Sequence, residues 1–149
     1  MGKAVELFKV HYRRHALDNT YVYPGVLQTL AHFRRKKMAV VTNKPVRISK
    51  HILRSLGLIR YFPVVLGGDS VIRKKPDPEG LLRALDYLKV PAGREILMVG
   101  DSFQDVEAGR SAGVQTCGIF SNIGDSERLQ RSKPDFTVRS LTDLIRLIS

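Results

Sequence analysis

The sequence predicts an α/β fold of three layers, a mostly parallel sheet covered by helices on both faces. Short continuous apolar runs recur along the chain, as strands buried on both faces require. Between them lie stretches with apolar residues at helical spacing, each closed by Gly, Pro or a basic run. The length of 149 residues, 43% of them hydrophobic, suits one core.

Residues 6–15 carry weak helical periodicity, and a turn-rich stretch follows at 18–25. Val26, Leu27, Leu30 and Phe33 mark a helix that ends in Arg34-Arg35-Lys36-Lys37, where cations favour the negative end of the helix dipole. Residues 38–42 read as a buried strand. Ile48, Ile52, Leu53 and Leu56 mark the next helix, stopped by Gly57. Residues 64–67 form a second strand. Leu81, Leu82, Leu85 and Leu88 mark a helix that stops before Pro91. Residues 96–99 form a third strand closed by Gly100, and 106–112 a short helix ended by Gly113. Residues 114–119 form a fourth strand and 136–138 a fifth, with a last helix over 141–148. Parallel strands put their C-terminal ends on one edge, and ligands bind outside that edge. The places to search are therefore Thr42-Asn43, residues 67–75 and residues 100–105.

Composition excludes several classes. No apolar run approaches the ~20 residues of a membrane span, and the first residues lack the apolar core of a signal peptide. A single cysteine, Cys117, excludes an internal disulfide and a cysteine-based zinc site, and it reads as a small buried hydrophobe. A soluble cytoplasmic domain is expected. The net charge of +11 attracts anions. The cations read as scattered and aromatics are few, so nucleic acid is not an expected partner, nor is a membrane. His11 and His15 lack the glutamate of a zinc helix, and Gly67-Gly68-Asp69 reads as a strand-end turn.

Three loops carry chemistry. In Val41-Thr42-Asn43-Lys44-Pro45 a strand delivers a hydroxyl and backbone N–H groups to a helix start, a ready anion site, although capping alone uses the same residues. In Arg73-Lys74-Lys75-Pro76-Asp77-Pro78 two prolines stiffen the chain around Lys75, whose ammonium can neutralise a phosphate or carboxylate; a solvated basic loop is the plain alternative. In Gly100-Asp101-Ser102-Phe103-Gln104-Asp105 two carboxylates converge at a strand end. That suits a hard cation such as Mg²⁺, while Asp101 or Ser102 could instead cap a helix.

Hydroxyl, lysine and paired carboxylate at successive strand ends resemble the haloacid dehalogenase superfamily of phosphatases, most closely its phosphoglycolate phosphatase-like branch. Ala108-Gly109, Ala112-Gly113 and Tyr23-Pro24-Gly25-Val26 extend the likeness, which covers the chain from about Tyr21 onward. The resemblance implies a Rossmann-like core, with residues 21–149 as its C-terminal part and 1–20 as the remnant of a helical cap and linker. It implies that Thr42 and Asn43 hydrogen-bond a transferring phosphoryl group and that Lys75 is the catalytic cation offsetting its charge. Asp101 would hold Mg²⁺, and Asp105 would bind it or orient Lys75. The substrate would be a small phosphorylated metabolite.

The sequence departs from the family at one point. The family attacks phosphorus with an aspartate of a D-x-D-x-T segment after its first strand, and no D-x-D occurs here. The expectation is that the first, central strand, the nucleophile and most of the cap are absent. The chain would then be inactive alone, or a non-catalytic phosphate-binding module. A sheet without its central strand has two unpaired edges, which implies a homodimer, a strand-swapped dimer or a rearranged sheet.

Overall fold

Residues 38–41 are apolar at every position because both of their faces are covered. Met38 and Val40 point to one side of the sheet, Ala39 and Val41 to the other, and none is more than 4% exposed. A computed structural model of the chain describes residues 5–8, 12–14, 20–22, 25–120 and 126–148. Strands β1 (Val5–Phe8), β4 (Lys37–Val41), β5 (Val64–Leu66), β6 (Ile96–Gly100), β7 (Gln115–Ile119) and β8 (Phe136–Val138) form one sheet in the order β5-β4-β1-β6-β7-β8. Every pairing in it is parallel. Strands β2 (Tyr12–Arg14) and β3 (Thr20–Val22) pair separately and antiparallel.

Helices α1 (Val26–His32), α2 (Val46–Ser55) and α6 (Asp143–Ile148) cover one face. There Val26, Leu30, Phe33, Leu53 and Leu144 pack with Met38, Val40, Leu97 and Val99 in one cluster. Helices α3 (Glu79–Leu88) and α4 (Phe103–Ala112) cover the other face, where Leu81, Leu85 and Ala108 meet Ala39, Ile96 and Met98. A short helix, α5 (Ser126–Arg131), follows β7. The three-layer α/β/α class is thus the one expected. Gly25 opens α1 at φ +89°, and a Cβ there would lie 2.7 Å from Thr142 Cγ2 just ahead of α6, so only glycine fits this turn. No helix among the described residues is long and apolar enough to cross a membrane.

Two expectations are corrected. The helical periodicity read over 6–15 does not give a helix at Val5–Phe8 or Tyr12–Arg14, which are strands, and Val5–Phe8 lies at the centre of the sheet, pairing Leu7 with Ala39 on one side and Met98 on the other. Central pairing satisfies the backbone of β4 and β6 as well as its own, which outweighs a weak local helical preference. The position expected to be vacant is filled from within the chain, and the sheet needs no strand from a second copy. The stripe proposed for α2 holds at Leu53 and Leu56, which pack in the core, but not at Ile48. Ser49 and Leu53 face the sheet, whereas Ile48 is 51% exposed. Ser49 enters the core because its Oγ donates to Pro45 O at 2.9 Å.

Two outcomes follow. Leu7→Pro removes a ladder N–H from a strand paired on both sides, and the thermal midpoint should fall by about 10 °C or more, whereas Leu7→Val should leave it within a few degrees. Burial pushes the Cys117 thiol up to about 12. Near neutral pH it should stay protonated and inert to a thiol reagent until denaturant is added, which a colorimetric thiol assay reads directly.

Candidate functional site

The ends of β4, β5 and β6 lie on one edge of the sheet, and the loops leaving them are tied together. Lys75, between β5 and α3, is 5% exposed, and its Nζ donates to Val41 O at 2.8 Å and to Asp105 Oδ1 at 2.5 Å. The ammonium therefore spans from the last residue of β4 to the first turn of α4. In sheet order it bridges across the end of β1, which lies between β4 and β6. Asp105 is fully buried. Its Oδ2 accepts from Ser102 N at 3.2 Å and Ser102 Oγ at 2.9 Å, while Asp105 N donates back to Ser102 Oγ at 3.3 Å. This reciprocal cap fixes the carboxylate from below as Lys75 fixes it from above. Gly100 makes room for it, since a Cβ there would collide with the Asp105 side chain.

Asn43 clasps the same lysine by its backbone. Its Oδ1 accepts from Lys75 N at 3.1 Å and its Nδ2 donates to Lys75 O at 3.2 Å. Thr42 is 8% exposed; its Oγ1 accepts from Lys44 N at 3.2 Å and keeps its own proton to donate. Asp101 is half-buried at the tip of β6, with Oδ1 inside. Thr42, Asn43, Lys75 and Asp105 are thus brought together, and Asp101 adjoins them through the Ser102 amide that Asp105 holds. Ser102, not Asp101, caps α4. His11 and His15 lie outside the described residues.

Two supporting carboxylates escaped the sequence reading. Asp69 Oδ1 accepts from Val46 N at 2.8 Å, so the β5 turn caps α2 from 23 residues away. That turn packs backbone to backbone on residues 43–46. Gly68 N donates to Lys44 O at 2.8 Å, and a Cβ on Gly67 or Gly68 would strike the backbone there. Glu79 accepts from Ile72 N at 3.0 Å and Arg73 N at 3.1 Å, with Arg83 Nε 3.2 Å away. These bonds, the Ile72 amide first, hold its carboxyl below the usual carboxylate range and pin the approach to Lys75. The sole cue to either was an acid beside a turn or helix start. Their partners are found only in three dimensions.

The donor set also bears on a metal. Among the described residues no three His, Cys, Asp or Glu side chains cluster as a complete metal site. Both Asp105 oxygens are engaged by Lys75 and Ser102. Asp101 is the carboxylate at this edge that fits Mg²⁺, an ion often held by one carboxylate together with phosphate oxygens and water.

Polar groups converging at the strand ends of a parallel α/β sheet define the class, and comparison with known proteins gives the family. The sequence profile of a family described as haloacid dehalogenase-like hydrolase matches residues 2–113, a span that takes in β1. The chain belongs to the haloacid dehalogenase-like hydrolase family. Phosphoglycolate phosphatase of Vibrio parahaemolyticus is 36% identical over 150 residues, covering 99% of this chain and 65% of that protein. The protein of the same name from Escherichia coli K12 is 34% identical over 142 residues, covering 94% and 56%. The chain thus spans somewhat over half the length of these relatives. Among solved structures, a phosphoglycolate phosphatase assigned by prediction in Haemophilus somnus superposes with a TM-score of 0.79 at 31% identity, covering 87% of this chain and 58% of that one. A HAD-superfamily hydrolase of subfamily IA from Geobacter sulfurreducens gives 0.73 at 25%, covering 87% and 62%.

The buried pair makes a stability prediction. Lys75→Met leaves the Asp105 charge buried without its cation and should cost about 3–5 kcal/mol in urea unfolding. Adding Asp105→Leu should restore most of that, short by about 1 kcal/mol for the lost cap. A double variant as unstable as the single one would show that the pair is not what Lys75 holds in place.

Proposed function

We propose that this chain carries the phosphoryl-binding edge of a phosphomonoester hydrolase for a small phosphorylated acid such as phosphoglycolate, acting in the cytoplasm. The observation that carries this reading is Lys75, held by Val41 O and Asp105 across the end of the central strand. A cation fixed there meets a phosphoryl group with its position already set, so little ordering cost remains. Thr42 Oγ1 donates to a phosphoryl oxygen. Asn43 orders Lys75 through its backbone and offers its own amide N–H at the start of α2. Asp105 is a positioning residue, and Asp101 is the carboxylate that would hold Mg²⁺. Bound there, the ion would draw charge from the phosphoryl oxygens. The relatives named phosphoglycolate phosphatase support the substrate class.

The 149 residues contain no D-x-D pair. The family chemistry requires an attacking aspartate, so the chain as it stands binds the phosphoryl group and turns it over at a rate near background. That absence also favours a second reading, a phosphate-binding module without chemistry.

Calorimetry with inorganic phosphate and phosphoglycolate, each with and without Mg²⁺, separates these readings from no site at all. Binding should occur, strengthen with Mg²⁺, and weaken about tenfold or more in Thr42→Val, the loss of one hydrogen bond to a charged group. Hydrolysis of p-nitrophenyl phosphate should stay near background. Phosphate binding untouched by Thr42→Val overturns the proposed site. Mg²⁺-dependent hydrolysis abolished by Asp101→Asn overturns the claim of inactivity and upholds the hydrolase.

A further inference from the structure

The net charge is concentrated rather than scattered. Residues 19–68 hold nine Lys and Arg and no Asp or Glu; the other 99 residues hold sixteen Lys and Arg and fourteen Asp and Glu. One third of the chain therefore contributes nine of the eleven net charges. That third builds α1, β4, α2 and β5, and α1 and α2 lie on the same face of the sheet.

On α2 the cations form a stripe. Arg47, Lys50 and Arg54 recur at i, i+3 and i+7, with Arg47 and Arg54 exposed and Lys50 half-buried. Arg34 and Arg35, past the end of α1, are exposed as well. Among the described residues Arg47, Lys50 and Arg54 make no ion pair. Pairs such as Arg83–Glu79 and Arg131–Glu127 belong to the other two thirds. Asp69 caps the start of the helix, but none of the three cations along it has an ion-pair carboxylate among the described residues, and such a stripe is complementary to a polyanion.

Spacing and chemistry select among polyanions. From Arg47 to Arg54 the helix rises roughly 10 Å, the axial length of about three phosphates on one strand of a duplex. The exposed large apolar side chains of α1 and α2 are the isolated Leu27 and Ile48, each 51% exposed, too little to seat in a lipid layer. No described Phe or Tyr of this face is exposed for base stacking: Phe33 and Phe62 are buried, and Tyr61 is half-buried with the Arg60 guanidinium 5.0 Å from its ring. We infer that the α1–α2 face binds the phosphate backbone of double-stranded nucleic acid without reading its sequence.

The test is fluorescence anisotropy of a labelled mixed-sequence DNA duplex of about 20 base pairs, titrated with protein from about 50 mM to about 200 mM salt. Arg47→Gln/Lys50→Gln/Arg54→Gln is compared with Arg83→Gln/Arg94→Gln/Arg131→Gln, which loses the same formal charge elsewhere. Circular dichroism confirms the fold of both. The α2 variant should lose tenfold or more in affinity, and its slope of log affinity on log salt should fall by about three. The control variant should keep the wild-type slope to within one. Equal losses in both variants overturn the inference, because net charge alone would then explain binding. So does failure of the wild-type protein to bind duplex at low salt. Co-sedimentation with vesicles rich in phosphatidylserine, sensitive to the α2 variant where duplex binding is not, would assign the face to a membrane and overturn it as well.

Discussion

The architecture of the site turns on one buried ion pair. Lys75 and Asp105 come from opposite sides of the sheet's central strand, and neither is solvated. An ammonium and a carboxylate withdrawn from water carry a desolvation penalty of several kcal/mol each, tolerable only where both are surrounded by partners. Here they are. Lys75 gains the Val41 carbonyl, and Asp105 gains the Ser102 amide and hydroxyl. The Lys75 bonds end on the β4 tip and on Asp105 of the α4 cap, so the pair cannot form unless the β4 end, the Lys75 loop and the α4 cap are all in place. The same geometry that stabilises the charges therefore aligns three strand tips.

The rest of the edge is organised to serve that alignment. Asn43 uses both ends of its amide on the Lys75 backbone, which holds the lysine loop against the β4 loop. Asp69 and Glu79 do the same one layer out, the first on α2 and the second on residues 72–73. Glycine at 67, 68 and 100 lets backbone approach backbone, or carboxylate approach Cα, where a methyl group would collide. Rigidity at this edge comes from charged and polar groups that act on the main chain, not from apolar packing.

Much of this was legible in the sequence, and the exceptions have a common cause. Residues 38–41 and 96–100 are readable because burial on both faces forces every position to be apolar. Thr42, Lys75 and Asp105 are readable because strand ends of a parallel sheet share an edge, so polar residues just after apolar runs must converge. Val5–Phe8 was not, since four residues carry too little pattern to outweigh tertiary pairing. Ile48 misled because an apolar residue one position off the true stripe still fits a helical period, and Ser49 became an inward residue by bonding its own backbone. The roles of Asn43, Asp69 and Glu79 depend on partners 6 to 32 residues away, which no local spacing encodes.

On the two proposed readings, helix α2 would address two kinds of anion by different physics. Its first turn, capped by Asp69 and adjoining Thr42, offers donors whose positions are fixed by neighbouring backbone. A single phosphoryl group needs that precision, because its binding energy comes from a few short, directed bonds. Its outer stripe is the opposite case. Arg47 and Arg54 are long, exposed and unfixed, and such groups gain little from any one contact. They gain by number, through release of the ions condensed on a polyanion, which makes their effect additive and strongly salt-dependent. Fixed donors at the start of the helix and a field along it would thus be distinguishable, because salt erodes the second far faster than the first.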